Sequence, residues 1–303
     1  MVCIKDILNY LDENNVTYTY IGNIELIVDT YCPLNRLKDN CITWIRDIDS
    51  YNIYLLNAFK NLLVVCNYPK VISSLDGNYI ITDNPHSIFF SILSKFFCNN
   101  QFDTIIEERN NSVIKTLEIG KNVTIGNFCY IGKDVSIEDN VIIKNNVSID
   151  GKVKIGKNTV IYSGVIIGED GFGYYDDINN CHLRAPHLGG VIVGENVEIG
   201  ANTCIAKGCL GDTIINDNVK IDNLCHIAHN VIIGKNSKIT AMSMLAGSSV
   251  IGEDVWVAPC SAIKNQVVVG NNSLIGIGAV VINNIDENTI VAGVPAKFLK
   301  SKI

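Results

Sequence analysis

Isoleucine or valine recurs at every sixth residue through most of this chain, and that spacing restricts the fold more than any other feature. The run begins Ile119, Ile125, Ile131, Ile137, Ile143, Ile149, Ile155, Ile161, Ile167, and after an interruption resumes at Val193, Ile199 and Ile205. After a second slip it continues Ile215, Ile221, Ile227, Ile233, Ile239, Leu245, Ile251, Val257, Ile263, Val269, Ile275, Val281. A helix repeats its buried face near every 3.6 residues and a half-buried strand at every second residue, so neither produces a period of six. A short, fixed period marks a solenoid. The workable geometry is a triangular prism of parallel strands, each hexapeptide forming one flat side and one corner. Three hexapeptides make a coil of about 18 residues, and coils stack at the strand spacing of about 4.8 Å. The aliphatic points inward, while corners take small or permissive residues such as Gly and Asn.

Residues 1–110 lack this period and read as a small α/β domain, residues 111–296 as the prism and residues 297–303 as a short tail. Ile4, Ile7, Leu8 and Leu11 have helical spacing. Residues 18–29, 41–46, 62–66 and 79–82 read as strands. Asn84-Pro85-His86 then opens an apolar helix, with Asn84 as cap and Pro85 in the first turn. The polar stretch 99–111 reads as the linker.

The chain has 303 residues and a net charge of −7, which argues against a nucleic-acid or anionic-membrane partner. No apolar stretch approaches the ~20 residues needed to span a bilayer, and the start of the chain lacks the apolar core of a signal peptide. Eleven cysteines are scattered without a framework, and Cys129, Cys209 and Cys225 fall at inward positions. That pattern predicts free thiols in a reducing cytoplasm, and without any Cys-x-x-Cys pair no metal is expected.

The first interruption contains Gly168-Glu169-Asp170-Gly171-Phe172-Gly173-Tyr174 and leaves roughly twenty residues outside any coil; so long a loop, rich in Gly and aromatics, is a functional candidate. The second, residues 208–213, reads as a shorter excursion at a corner. Of five histidines, His226 and His229 lie in the regular coils. Taking Ile227 as inward, both rings leave the prism. Counting one coil at a time, His229, Gly247 and Asn265 share a corner column. An imidazole can take a proton near neutral pH, and a glycine leaves its N–H open to an oxyanion. A surface histidine beside a turn glycine, without any role, is the competing reading. Two coil histidines without a third ligand make a catalytic metal a poor fit.

The string 168–174, with Asp222-Asn223, Ile227-Ala228-His229-Asn230 and Ala246-Gly247-Ser248, resembles the UDP-3-O-acylglucosamine N-acyltransferase family of lipid A biosynthesis, within the left-handed β-helix acyltransferases. The resemblance implies a mainly β fold, a left-handed parallel β-helix of hexapeptide repeats behind a small α/β nucleotide-binding domain. It implies His229 as general base, the Gly247 N–H at the oxyanion and His226 in support. Asp170, Phe172, Tyr174 and Asn223 would contact the sugar, and Trp44, Asp47 and Tyr51 the nucleotide base. Gly247, Asn265 and Lys297 would bind the acyl donor. It also implies a homotrimer with sites between neighbouring prisms.

Two features depart from that family. Its long C-terminal helix, associated with the carrier protein, has no counterpart before Ile303, and Gln266 stands near the place of a further family histidine. The ending Ala292-Gly293-Val294-Pro295-Ala296-Lys297 is similar instead to coenzyme A-using sugar acetyltransferases. The expected reaction is therefore transfer from an acyl thioester, acyl-CoA before acyl-ACP, to the amine of a nucleotide-linked amino sugar for a surface polysaccharide. UDP-3-O-acylglucosamine N-acylation with acyl-ACP is the alternative, and a non-enzymatic assembly module the second alternative.

Overall fold

A computed structural model describes residues 1–32, 34, 37–52, 55–56, 58–70, 77–97, 111–176 and 182–302. The chain divides into two compact units, Met1–Gln101 and Phe102–Ile303. The expected linker falls almost entirely on residues 98–110, outside the described residues.

In the first unit a five-stranded sheet runs in the order Thr19–Ile21, Asn78–Ile81, Leu63–Cys66, Cys41–Ile45, Thr30–Tyr31, parallel except at its first pair. Helix α1 (Ile4–Glu13) buries Ile4, Ile7 and Leu11, and with helix α2 (Pro85–Phe96) it covers one face through Ile42, Val65, Phe89 and Ile92. The Asn84 side chain caps α2, accepting from the Ser87 N–H at 3.2 Å. The other face holds Cys41, Ile45, Ile48, Val64 and Tyr79. The expected strand at 18–29 is two short strands, Thr19–Ile21 and Ile27–Val28, since Gly22 turns the chain at φ +127° between them. Cys32 and Cys41 are joined by a disulfide, against the expectation of free thiols: neighbouring strands bring their Cα atoms to 6.3 Å, within bridging range.

The second unit is the prism, a left-handed parallel β-helix whose described residues form sheets of nine, seven and ten strands, the last counting the antiparallel Lys297–Ser301 at its edge. Ile131, Ile149 and Ile167 stack in register on one face, Ile143 and Ile161 on another, Ile137 and Ile155 on the third. The inward aliphatics and the valines two places before them form one continuous buried core; each such side chain contributes about 1.5–3 kcal/mol on burial. Corners demand positive φ, and asparagine supplies it at the least cost after glycine. At one corner Asn122, Asn140, Asn158 and Asn196 adopt φ of 56–59° and pass a side-chain hydrogen bond from coil to coil at 3.1–3.2 Å.

Ile155 pairs with Val193, a step of 38 residues, and Val193 with Ile215, a step of 22, where regular coils step by 18. The first excursion is more ordered than a loop. Ile166–Asp170 continues its strand against Cys204–Lys207 through a bulge, and Tyr174–Asp176 pairs with His182–Arg184 as an antiparallel hairpin. Cys129 and Cys225 are buried as expected, but Cys209 sits in the second excursion and is only half-buried. The tail also differs from expectation. Thr289–Ala292 extends the ten-stranded face, and Lys297–Ser301 returns antiparallel along its free edge, which would otherwise leave unpaired backbone groups. Among the described residues no helix is long and apolar enough to cross a membrane.

Candidate active site

The corner column read from the sequence is present: the Ser248 N–H bonds the His229 carbonyl, and the Gln266 N–H bonds the Gly247 carbonyl one coil on. The ring of His229 lies so close to Gly247 that a β-carbon there would stand 2.6 Å from Nε2. Around this pair is a pocket of about 350 Å³, walled by Asp170, Gly171, Phe172, Arg184, His226, Met244 and Ala246 as well as His229 and Gly247. The N–H of Gly247 has no acceptor among the described residues.

His229 has its Nδ1 at 3.1 Å from the Asn230 side-chain oxygen. A carbonyl oxygen only accepts, so Nδ1 is the donor in this bond, and in the neutral form of the ring Nε2, on the Gly247 side, is the nitrogen free to accept a proton. His226 sits one strand position before Ile227, in register with Cys204 and Met244; its partial burial lowers its pKa. Asp170 forms an ion pair with Lys207 at 2.8 Å. The Lys207 hydrogen bond holds its carboxyl below the usual range, against the opposing effect of burial, with smaller help from the charges of His187 and Arg184.

The Gly-rich string acts as a roof. A β-carbon on Gly171 would meet His229 Cβ at 2.8 Å and His187 Nε2 at 2.9 Å, so only glycine lets the backbone pass over both rings. Phe172 is exposed and leans on Tyr174, centroids 5.0 Å apart. Arg184 reaches back from the hairpin, stacking on Tyr174 and bonding its hydroxyl at 3.1 Å.

The geometry thus brings together His229, Gly247, His226, Asp170 and Phe172, with Tyr174 adjoining. The other candidates lie apart from them. Asn223 lines a second, polar pocket on a different face with Tyr162, Glu198, Lys220 and Asp222. Asn265, the next member of the column, is exposed and does not line this pocket, and Lys297 is exposed on the final strand. In the first unit, Trp44 packs on the helix-covered face against His86 and Phe89 and lines a pocket of about 500 Å³ with Tyr31, Arg46 and Phe90. Tyr51 packs on the opposite face, and Asp47 is exposed. Four participants escaped sequence reasoning: Arg184, His187, Lys207 and Asn230. His187 is 6% exposed; it edges onto His229 with centroids 5.5 Å apart, its Nδ1 bonds the Ala185 carbonyl at 2.9 Å, and its buried Nε2 has no partner among the described residues. The preceding Pro186 and following Leu188-Gly189 carry no signal for this placement. No group of three or more metal-ligating side chains occurs among the described residues.

Residues 117–151 match the bacterial transferase hexapeptide (six repeats) family, and residues 188–276 match the GMPPB C-terminal domain. Among curated proteins, the UDP-3-O-acylglucosamine N-acyltransferase 2 of Legionella pneumophila (strain Paris) is 58% identical over 69 residues, 23% of this chain and 20% of that protein. The UDP-3-O-acylglucosamine N-acyltransferase of Delftia acidovorans is 53% identical over 70 residues, 23% of this chain and 21% of that protein. The matches span about a fifth of those relatives' length. Among solved structures, the UDP-N-acetylglucosamine acyltransferase of Campylobacter jejuni superposes with a TM-score of 0.56 at 28% identity, over 63% of this chain and 73% of that one. The chain is a left-handed β-helix protein of the hexapeptide-repeat kind, and it resembles the UDP-3-O-acylglucosamine N-acyltransferases.

Proposed function

We propose that this protein transfers an acyl group from a thioester to the amine of a UDP-linked glucosamine derivative. The observation that supports it most is Nε2 of His229 beside Gly247, whose N–H has no acceptor among the described residues, in a pocket roofed by residues 170–172. In this reading the sugar amine attacks the thioester carbonyl while His229 Nε2 takes its proton. The oxyanion is met by the Gly247 N–H. The C–S bond then breaks, and the departing thiolate receives the proton from the imidazolium. Arg184 and the Asp170–Lys207 pair orient the sugar and its phosphates. His226 supports the pocket wall.

The relatives reverse the order of substrates expected from the sequence ending. They are named for the 3-O-acylated UDP-glucosamine, so that acceptor ranks first, with a carrier-bound acyl chain as donor and acyl-CoA second. The nucleotide is assigned to the first unit, where Trp44 has a pocket beside it and Asp47 and Tyr51 are further candidates. Asn223 faces a separate pocket in its own chain; in a symmetric trimer that face can meet the His229 face of a neighbour, and Asn223 is assigned to the site on those terms. Asn265 and Lys297 are assigned to the donor.

Mass spectrometry of the purified protein with UDP-3-O-acylglucosamine and matched acyl-ACP and acyl-CoA tests this. An acylated product lacking a free amine is expected, formed faster with acyl-ACP. No product from either donor, with UDP-3-O-acylglucosamine or other UDP-amino sugars, would overturn the reading.

A further inference from the structure

We propose that the short excursion at residues 208–213 positions the site: through the backbone of Cys209 it fixes the Asn230 amide, and with it the tautomer of His229, while holding the segment that carries His187. The proposal rests on the acyl-transfer reading above for its purpose, though not for its geometry.

The excursion lengthens one coil, since Val193 and Ile215 pair at a step of 22 residues instead of 18. Such an insertion could simply bulge into solvent. Here it turns back onto one side chain. The Cys209 N–H donates to Asn230 Oδ1 at 3.0 Å, and Asn230 Nδ2 donates to the Gly211 carbonyl at 2.8 Å. A backbone N–H only donates and a carbonyl only accepts, so the oxygen and nitrogen of this amide cannot be interchanged without losing both bonds. The Asn230 N–H is held as well, by Thr213 Oγ1 at 2.9 Å, and that hydroxyl donates to the Ala206 carbonyl at 2.8 Å. Gly208 is needed for the turn: a β-carbon there would run into the Gly211 carbonyl oxygen and come within 2.7 Å of Asn230 Nδ2.

The consequence falls on His229. With Oδ1 fixed toward it at 3.1 Å, Nδ1 must be the protonated nitrogen. Free neutral imidazole in water favours the other tautomer, with the proton on Nε2. A flipped Asn230 amide would present a donor to Nδ1, favouring the proton on Nε2, the nitrogen that must accept one from the amine. The same Cys209 peptide region anchors the second imidazole. The Cys209 carbonyl accepts from Leu188 N–H at 2.7 Å, and the Gly189 N–H bonds the Gly208 carbonyl at 3.1 Å. Between them these bonds tether the stretch bearing His187, whose ring edges onto His229 at 5.5 Å and 74°. Neither Asn230 nor the excursion is assigned contact with the reacting atoms; they are positioning residues.

The test uses the full chain with ¹⁵N-labelled histidine rings, read by long-range proton–nitrogen correlation near pH 8, with His187 and His229 assigned by His→Gln substitution. Both rings should show a protonated Nδ1 and a bare Nε2, and the Cys209 amide should exchange at least a hundredfold more slowly than in an unstructured chain. Asn230→Ala should shift His229 toward the Nε2–H tautomer and leave that of His187 in place, while lowering kcat about ten- to a hundredfold with the KM for the sugar nucleotide unchanged. A His229 protonated on Nε2 in the native chain, a Cys209 amide exchanging at the unstructured rate, or a folded Asn230→Ala variant with its His229 tautomer intact would each overturn the proposal. Should Asn230→Ala not fold, the two native-chain measurements decide it. If the tautomer and exchange results hold and no acyl transfer is found with any substrate, the functional reading fails and the positioning stands.

Discussion

The imidazole of His229 fills the space where a side chain on Gly247 would stand, with a hypothetical β-carbon 2.6 Å from Nε2 and 2.7 Å from Cε1. Gly247 is not at positive φ, so alanine there meets no backbone penalty and acts only on the ring. Gly247→Ala should fold normally and lower turnover by about 10²- to 10⁴-fold, as for loss of the base itself. In a His229→Ala background the same change should cost less than about threefold, because the two act as one unit. Equal losses in both backgrounds would separate them.

In the function proposed above, Trp44 stacks on the nucleotide base. Aromatic stacking on a base contributes about 1–3 kcal/mol when tested by alanine. Trp44→Ala should therefore raise the KM for the UDP-sugar about 5- to 150-fold and leave the donor KM nearly unchanged. Steady-state kinetics with each substrate varied in turn decides this; an unaltered UDP-sugar KM returns Trp44 to packing against His86 and Phe89.

The ion pair of Lys207 with Asp170 makes a pH prediction. Asp170 has its pKa lowered in the folded state, first by the Lys207 hydrogen bond. A lowered carboxyl pKa contributes stability that is present above the unfolded value, near pH 4, and is lost as pH falls through the folded value. Lys207→Met should thus be less stable than the native chain at pH 7, and the gap should close on acidification below about pH 4. Urea titrations at several pH values measure it, and a gap that does not change with pH would show that lost packing is responsible.

The prism itself was legible because one spacing encodes it. A coil of three hexapeptides places His229 over Gly247 by counting alone, and the registers from Ile131 to Ile149 to Ile167 repeat that count. The excursions obey no period. Nothing in the spacing says that Arg184 returns over Tyr174, that His187 tucks beside His229, or that Cys209 binds Asn230, since each depends on where a non-repeating segment folds back. The Cys32–Cys41 bridge was missed for the same reason: two cysteines nine residues apart are scattered in sequence and adjacent only through parallel strand pairing. Asn223 shows the opposite limit. It stands close to His229 in sequence, yet the prism turns a corner between them and gives each its own pocket.

The asparagine corner predicts a stability difference. Asn158 sits at φ 58° and links Asn140 to Asn196. Asn158→Ala loses both bonds and, with them, asparagine's tolerance of the left-handed region, costing about 2–4 kcal/mol in all, whereas Asn158→Gly loses the bonds but adopts that region freely and should cost roughly 1–2 kcal/mol less. Chemical denaturation of both variants checks the order, and an alanine variant as stable as the glycine variant would contradict it.

The most direct test of the whole account is the turnover of His229→Ala with UDP-3-O-acylglucosamine and a saturating acyl thioester, followed across about pH 6 to 9. The account predicts a loss of about 10²- to 10⁴-fold at every pH, with both Michaelis constants nearly unchanged, as expected when an interaction made only in the transition state is removed. A folded His229→Ala protein that keeps more than about a third of native turnover over that range would contradict it.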